Sequence, residues 1–364
     1  MRIQTLGVGL IGYGTAGRGL HAPLIQATPG MELLAVASGQ PERVQADLPD
    51  VEALPRATQL LARSDIDLVV IATPNDTHYP LAKAALAAGK HVVVEKPFTV
   101  SLSEARMLRA QAEGAERLLS VFHNRRWDSD FLTLQALLEG GTLGRVVALE
   151  SRLDRFRPGV TDRWREQHKP GGGIWFDLGP HLLDQVRLLF GMPKAILLEL
   201  ATVRDGAEVD DDFLCLLEYD GLRVTLQASS LVAEPTPRFR VHGSGGSYLA
   251  FGIDPQEQRL RAGEAVVGAD AAGNRAPPGQ LTRLEQEGEA PVVREHPSLP
   301  GDWSRYHAGI VEALLHRAPP PVSLDEAMEV MTLLEAGLDS YRQGRWLRLR
   351  EGNGLRQRLH ARRR

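Results

Sequence analysis

The chain has 364 residues, 42 Lys and Arg against 46 Asp and Glu, a formal charge of −4 and 43% hydrophobic residues. That length suits about two domains of roughly 150 residues each, and the small charge gives no reason to expect a nucleic acid or a membrane surface as partner. Cys215 is the sole cysteine, so no intrachain disulfide can form, and no apolar run approaches the roughly 18 residues that cross a membrane. The start of the chain runs at once into a glycine-punctuated strand without a secretory leader pattern, so the expectation is a cytoplasmic protein.

In chain order, Leu6–Ile11 reads as a buried strand and Thr15–Ala27 as a helix ended by Thr28-Pro29-Gly30. Met31–Ala37 and Ile66–Ala72 are further strands, followed by a helix over Thr77–Ala88, a strand over His91–Val94, a helix over Ser103–Glu113 and a strand over Leu118–Phe122. This alternation predicts right-handed crossovers and a parallel sheet with helices on both faces. Its continuous Val/Ile/Leu strands fit a sheet buried on both sides.

Past residue 123 the rhythm changes. A helix over Asp128–Glu139 precedes a long strand, Arg145–Phe156, then a loop rich in Arg, Trp and Gly, then a helix over Asp177–Phe190. Strands follow over Ile196–Val203, Phe213–Tyr219, Arg223–Leu231 and Arg238–Gly243, with Asp220-Gly221 as a hairpin signal, which predicts a mainly antiparallel sheet. Cys215 sits in an apolar run and reads as a buried structural thiol. Gly263–Pro300 reads as a loop excursion, and helices near Trp303–His316 and Leu324–Gln343 close the fold.

Gly12-Tyr13-Gly14-Thr15-Ala16-Gly17 joins the first strand to the first helix. Gly12 allows a tight turn, Gly14 lets backbone approach a pyrophosphate, Gly17 lets helix and strand come close, and the helix N-terminus offers free N–H groups. The context of strand, turn and helix predicts dinucleotide binding. Where NAD enzymes carry an acid for the ribose 2′-hydroxyl, this chain has Ser38, with Arg43 in reach of a 2′-phosphate. That favours NADP over NAD, an enzyme using both being the alternative. Ala72-Thr73-Pro74-Asn75 ends a strand at the edge where the cofactor lies, and His78 beyond it either faces the cofactor or caps a helix.

Glu95-Lys96-Pro97 ends the next strand at the same edge, and the bond before Pro97 is a candidate cis bond. A Lys ammonium there hydrogen-bonds a substrate oxygen and lowers the alcohol's pKa; a surface ion pair is the plain alternative. Gly171-Gly172-Gly173 leads to Asp177 and His181, spaced i and i+4 on one helix face. A His beside a carboxylate is an acid/base pair suited to taking the hydroxyl proton, the alternative being a satisfied core histidine. No third or fourth ligand stands at metal-site spacing, so no metal is expected.

Together these motifs, with Asn124-Arg125-Arg126, resemble the glucose–fructose oxidoreductase, inositol dehydrogenase and rhizopine-catabolism (Gfo/Idh/MocA) family over roughly residues 6–350. The resemblance implies a Rossmann NAD(P)-binding domain, taken as residues 1–122. It also implies an α+β substrate and oligomerisation domain over 123–350, whose open-faced sheet makes a homodimer or homotetramer. The basic residues 351–364 are read as a disordered tail. By resemblance Lys96, Asp177 and His181 are the catalytic positions, and Glu95, Asn124 and Arg125 line the nicotinamide end. In such a fold Trp164 and Arg165 stand on the loop facing the site, as substrate- or cofactor-contacting residues, simple packing being the alternative for Trp164. The stretch Val121–Asp128 is most similar to scyllo-inositol dehydrogenase-like members, which tend to use NADP. The function expected is hydride transfer between NAD(P) and a sugar or polyol hydroxyl. A redox-neutral NAD-dependent glycosidase and a non-catalytic cofactor sensor are the alternatives.

Overall fold

The computed structural model describes residues 5–264, 273–284 and 289–349; the tail expected at 351–364 lies outside them. The chain forms two units. Of the described residues, the first comprises 5–124, 256–264 and 302–331, and the second 125–255, 273–284, 289–301 and 332–349.

The first unit holds strands β1 (Leu6–Ile11), β2 (Met31–Ala37), β3 (Glu52–Leu54), β4 (Leu68–Ile71), β5 (His91–Val94) and β6 (Leu119–Val121). They form one parallel sheet in the order β3-β2-β1-β4-β5-β6. β1 and β4 are buried at every residue, as strands covered on both faces must be. The strand order turns back between β1 and β4, the topological point where such sheets bind ligands. Helices α1 (Ala22–Gln26), α2 (Pro41–Asp47), α3 (Ala57–Leu61), α4 (His78–Ala87) and α5 (Leu102–Gly114) link the strands. Ser101 starts α5 by accepting the Glu104 N–H at 3.2 Å. β1, β2 and β5 have the bounds expected from sequence. A helix carrying Glu42 was expected after β2, and α2 is that helix; β3 and α3 were not foreseen, because elements this short carry no readable period.

The second unit holds α6 (Ser129–Glu139), β7 (Val146–Arg152), α7 (Ile174–Phe190), β8 (Ala195–Ala201), β9 (Asp212–Tyr219), β10 (Leu222–Ser229), β11 (Phe239–Gly243), β12 (Gly246–Ala250), β13 (Gly279–Arg283), β14 (Val292–His296) and β15 (Leu347–Arg348). The nine strands run β14-β13-β12-β11-β7-β10-β9-β8-β15, antiparallel except for the β7–β10 pair. Gly221, at φ +66°, makes the β9–β10 turn. Phe213, Cys215, Leu217, Val224 and Leu226 are buried on one face, while Leu214, Leu216 and Thr225 between them are half-buried. α7 lies on the covered side; its Trp175 ring meets Phe213 at 5.0 Å, and the indole N–H donates to Leu334 O at 3.2 Å. Burial pushes the Cys215 thiol pKa upward, the condition of an inert structural cysteine.

The stretch expected to be a loop excursion contains β13 and β14, a correction with a plain cause. Both lie at the end of the sheet, β13 only partly covered and β14 exposed at four of its five residues, so no inside–outside alternation marks them. A short α8 (Gln256–Arg261) was also missed, while α9 (Ser304–His316) and α10 (Leu324–Gln343) agree with expectation. α8, α9 and the α10 residues up to Met331 group with the first unit, a return of the chain that a linear division at residue 122 does not carry. Among the described residues no helix is long and apolar enough to cross a membrane.

Candidate functional site

At the end of β1, Gly12 takes φ +98°, and a Cβ there would lie 2.4 Å from Ala72 O. A Cβ on Gly17 would lie 2.0 Å from Gly12 O, whereas one on Gly14 would meet nothing within 4 Å. Two glycines are therefore demanded by close backbone, and the third leaves space open above the turn. Thr15 and Ala16 begin the helical residues 15–26. A cavity of about 610 Å³ opens here, lined by Gly12, Tyr13, Gly14, Ser38, Arg43 and Thr73 among others; its size is that of small-ligand sites. Gln40 and Pro55 also line it and were missed, Pro55 because it follows the unforeseen β3. Ser38 Oγ accepts the Gln40 N–H at 3.1 Å, and Arg43 is exposed. Space above Gly14 and a basic rather than acidic rim fit a dinucleotide.

Ala72 and Thr73 follow β4. Pro74 leads into a short 3₁₀ turn, Asn75–Thr77, with Asn75 buried. His78 is fully buried. Its Nδ1 lies 2.8 Å from Pro97 O and its Nε2 3.0 Å from Thr73 O. His78 thus ties two strand-end loops together and is not among the cavity's lining residues.

Glu95 follows β5 and is buried. Its Oε1 lies 3.0 Å from His21 Nε2, and its Oε2 accepts the Lys96 N–H at 3.0 Å. Burial works to raise the Glu95 pKa, but the hydrogen bond and charge of His21, with Lys96 and His78, outweigh it and hold the carboxyl below its ordinary value. The Lys96–Pro97 bond is cis.

In the second unit, α7 starts at a fixed corner. Gly173 takes φ +90°, and a Cβ there would strike Asp210 Oδ1 at 2.1 Å. Asp210 accepts the Trp175 N–H at 2.8 Å through its side chain and the Ile174 N–H at 2.8 Å through its carbonyl. This carboxyl satisfies the helix start from 35 residues away. Burial pushes its pKa up to about 6, the backbone hydrogen bonds working the other way. Asp177 lies in the first turns of α7, 3.4 Å from Arg155 Nη1 and 3.6 Å from Arg165 Nε. His181, one helical turn on, is buried at 6% exposure. The Arg165 guanidinium stacks over Trp164 at 4.5 Å. Arg125 pairs with Asp128 at 3.0 Å, and Gln185 donates to Arg125 O at 2.8 Å. Arg126 grips Asp184 at 2.8 and 2.6 Å. Asp184, Gln185, Asp210 and His21 were not singled out from sequence; the partners of all four are remote in the chain.

The structure therefore brings the glycine turn, Ser38, Arg43 and Thr73 around one cavity. It joins Glu95, the Lys96 turn and His78 in one hydrogen-bonded group of the same unit. Asp177, His181, Trp164 and Arg165 belong to the second unit; Asn124 ends the first and Arg125 opens the second. Among the described residues no cluster of three or more His, Cys, Asp or Glu is placed to hold a metal.

Two family models match. An oxidoreductase-family NAD-binding Rossmann fold covers residues 6–123, and an oxidoreductase-family C-terminal alpha/beta domain covers 135–349. The chain is 52% identical over 92% of its length to the uncharacterized oxidoreductase YdgJ of Escherichia coli, spanning 95% of it. It is 35% identical over 96% of its length to IolW of Bacillus subtilis, named as a scyllo-inositol 2-dehydrogenase (NADP(+)), spanning 97% of that protein. The solved structure of the YPO2259 protein from Yersinia pestis superposes with a TM-score of 0.91 at 48% identity, covering 96% of this chain and 99% of that one. With both halves of the chain matched and the glycine turn intact, the chain belongs to the Gfo/Idh/MocA family and is an NAD(P)-dependent oxidoreductase.

Proposed function

We propose that the enzyme transfers hydride between NADP and a ring hydroxyl of a cyclitol-like polyol, with Lys96 and His181 handling the reacting oxygen and its proton. The observation that carries this reading is on α7: a carboxylate braced by Arg155 and Arg165, and a buried imidazole one turn further on. Bound nicotinamide supplies the hydride acceptor or donor. The Lys96 ammonium donates a hydrogen bond to the hydroxyl oxygen and stabilises the negative charge that grows there. His181 takes the hydroxyl proton, and Asp177 supports the charged imidazole. Glu95, Asn124 and Arg125 stand at the nicotinamide end, Asn75 borders the cofactor crevice, and Trp164 and Arg165 border the polyol. Ser38 and Arg43 favour the 2′-phosphate of NADP, in keeping with the cofactor named for the Bacillus relative. The half-buried face of the nine-stranded sheet is the proposed contact between copies of the chain.

The test is a panel of polyols and aldoses, headed by scyllo-inositol, with NADP+ and NAD+ and read at the reduced-nicotinamide absorbance. Lys96→Ala and His181→Ala each lower kcat by roughly 10²–10⁴-fold, with cofactor Kd held near wild type. Turnover in both variants at the wild-type rate removes the assignment. Release of free polyol from a glycoside without net reduced cofactor points instead to redox-neutral cleavage.

A further inference from the structure

The first helix contains a histidine that the hydride-transfer scheme leaves unused. The helical residues after the glycine turn widen into a π-turn over Gly17–His21, closed by the Ala22 N–H donating to Gly17 O, a feature common near functional sites. The last residue of that turn, His21, is fully buried. Its Nε2 lies 3.0 Å from Glu95 Oε1, and the other oxygen of that carboxylate accepts the Lys96 N–H at 3.0 Å. The ring lies against Phe122 at 4.4 Å and against the edge of His307 at 5.7 Å. Tyr306 closes on Phe122 at 4.9 Å, its hydroxyl donating to Ser120 Oγ at 2.9 Å.

A position that served only to fill this box would carry an apolar side chain. Burying an imidazole and a carboxylate costs solvation that packing does not return, and both groups are spent on each other. Among the described residues His21 Nδ1 has no hydrogen-bond partner, so the bond to Glu95 is the ring's one polar contact. The neighbouring His307 does not compete for it. Burial, then the charge of His21, holds the His307 pKa well below its ordinary value, leaving that ring neutral. The titratable groups facing Glu95 are His21, His78 and Lys96 itself.

We propose that His21 is a positioning residue for Lys96: by holding Glu95, whose second oxygen takes the Lys96 amide, it fixes the turn from which the ammonium reaches the hydroxyl. The proposal rests on the reading of Lys96 as the group that meets the reacting oxygen. With Glu95 ionised, His21 Nε2–H donates, and loss of that donor lets the carboxylate turn away from the Lys96 amide. The ammonium is then misplaced without being removed.

The experiment has an arm that needs no substrate. The chain has five lysines, so selective ¹⁵N-lysine labelling of the full-length protein gives five amide signals, with that of Lys96 identified by its loss in Lys96→Arg. An amide proton bound to a carboxylate resonates downfield. In His21→Leu, and in His21→Phe, which refills the aromatic box if Leu fails to fold, the Lys96 signal moves upfield and the other four stay. His21→Gln, which keeps a donor at the Nε2 position, restores it. In the second arm, scyllo-inositol oxidation by NADP+ loses roughly tenfold or more in kcat in the Leu or Phe variant, while KM for the cofactor changes by less than about twofold. An unmoved Lys96 amide overturns the proposal whatever the substrate. A moved amide with undiminished kcat, in an enzyme that Lys96→Ala inactivates, overturns it as well. If Lys96→Ala itself is fully active, the functional reading fails while the amide arm still decides whether His21 holds the turn.

Discussion

At the scale of single residues, the proposed preference for NADP rests on the end of β2. Ser38 places a small hydroxyl where an acid would repel a 2′-phosphate, and its Oγ is engaged by the Gln40 N–H, leaving Arg43 as the exposed cation on that rim. Ser38→Asp introduces like charge against the phosphate and an acceptor for a ribose 2′-hydroxyl. The ratio of kcat/KM for NADP+ over NAD+ should fall by roughly tenfold, equivalent to about 1.4 kcal/mol; an unchanged ratio takes Ser38 out of the selectivity argument. Ser38 was legible because its meaning depends on distance in sequence from the glycines. His21 was not. A histidine among apolar residues in a helix reads as core, and only the fold brings Glu95, 74 residues later, to its Nε2.

Elements differ in the same way. The helix start at α7 is held by Asp210, which the chain supplies from beyond β8, so nothing local to Gly171–His181 announces it. Asp210 has a folded pKa of about 6, above the ordinary carboxyl value, so its protonated form is favoured by folding. Its contribution to stability is therefore full below the ordinary carboxyl range and is lost as pH rises through about 6. Asp210→Asn keeps an acceptor for the Trp175 N–H without the ionisation. The melting temperature of wild type minus that of Asp210→Asn should fall between about pH 4 and pH 6, and a flat difference across that window ends this account. Periodicity revealed α7 itself and every strand with a clean apolar pattern. It was silent on β3, which is three residues long, and on β13 and β14, whose residues show no inside–outside alternation.

For the molecule as a whole, the fold class was legible because two rhythms are written into one chain: strand–helix alternation to residue 122, then consecutive strands. The strict inside–outside alternation of β9 and β10 also leaves Leu214 and Leu216 half-buried on the second face of the sheet. A face of that kind suits a symmetric contact between copies. Leu216→Arg should lower the mass in light scattering toward that of a single chain while far-ultraviolet dichroism stays unchanged; an unaltered mass exonerates this face. What the linear reading lacked was the return of residues 256–264 and 302–331 to the first unit. Tyr306 and His307 on α9 wall the ring of Phe122, so the nucleotide half is not finished when its six strands have left the ribosome. Until synthesis has passed residue 307, Phe122 and the imidazole of His21 lack the cover that α9 brings. A fragment cut after residue 124 is therefore expected to leave the Phe122 ring without the wall that Tyr306 and His307 give it.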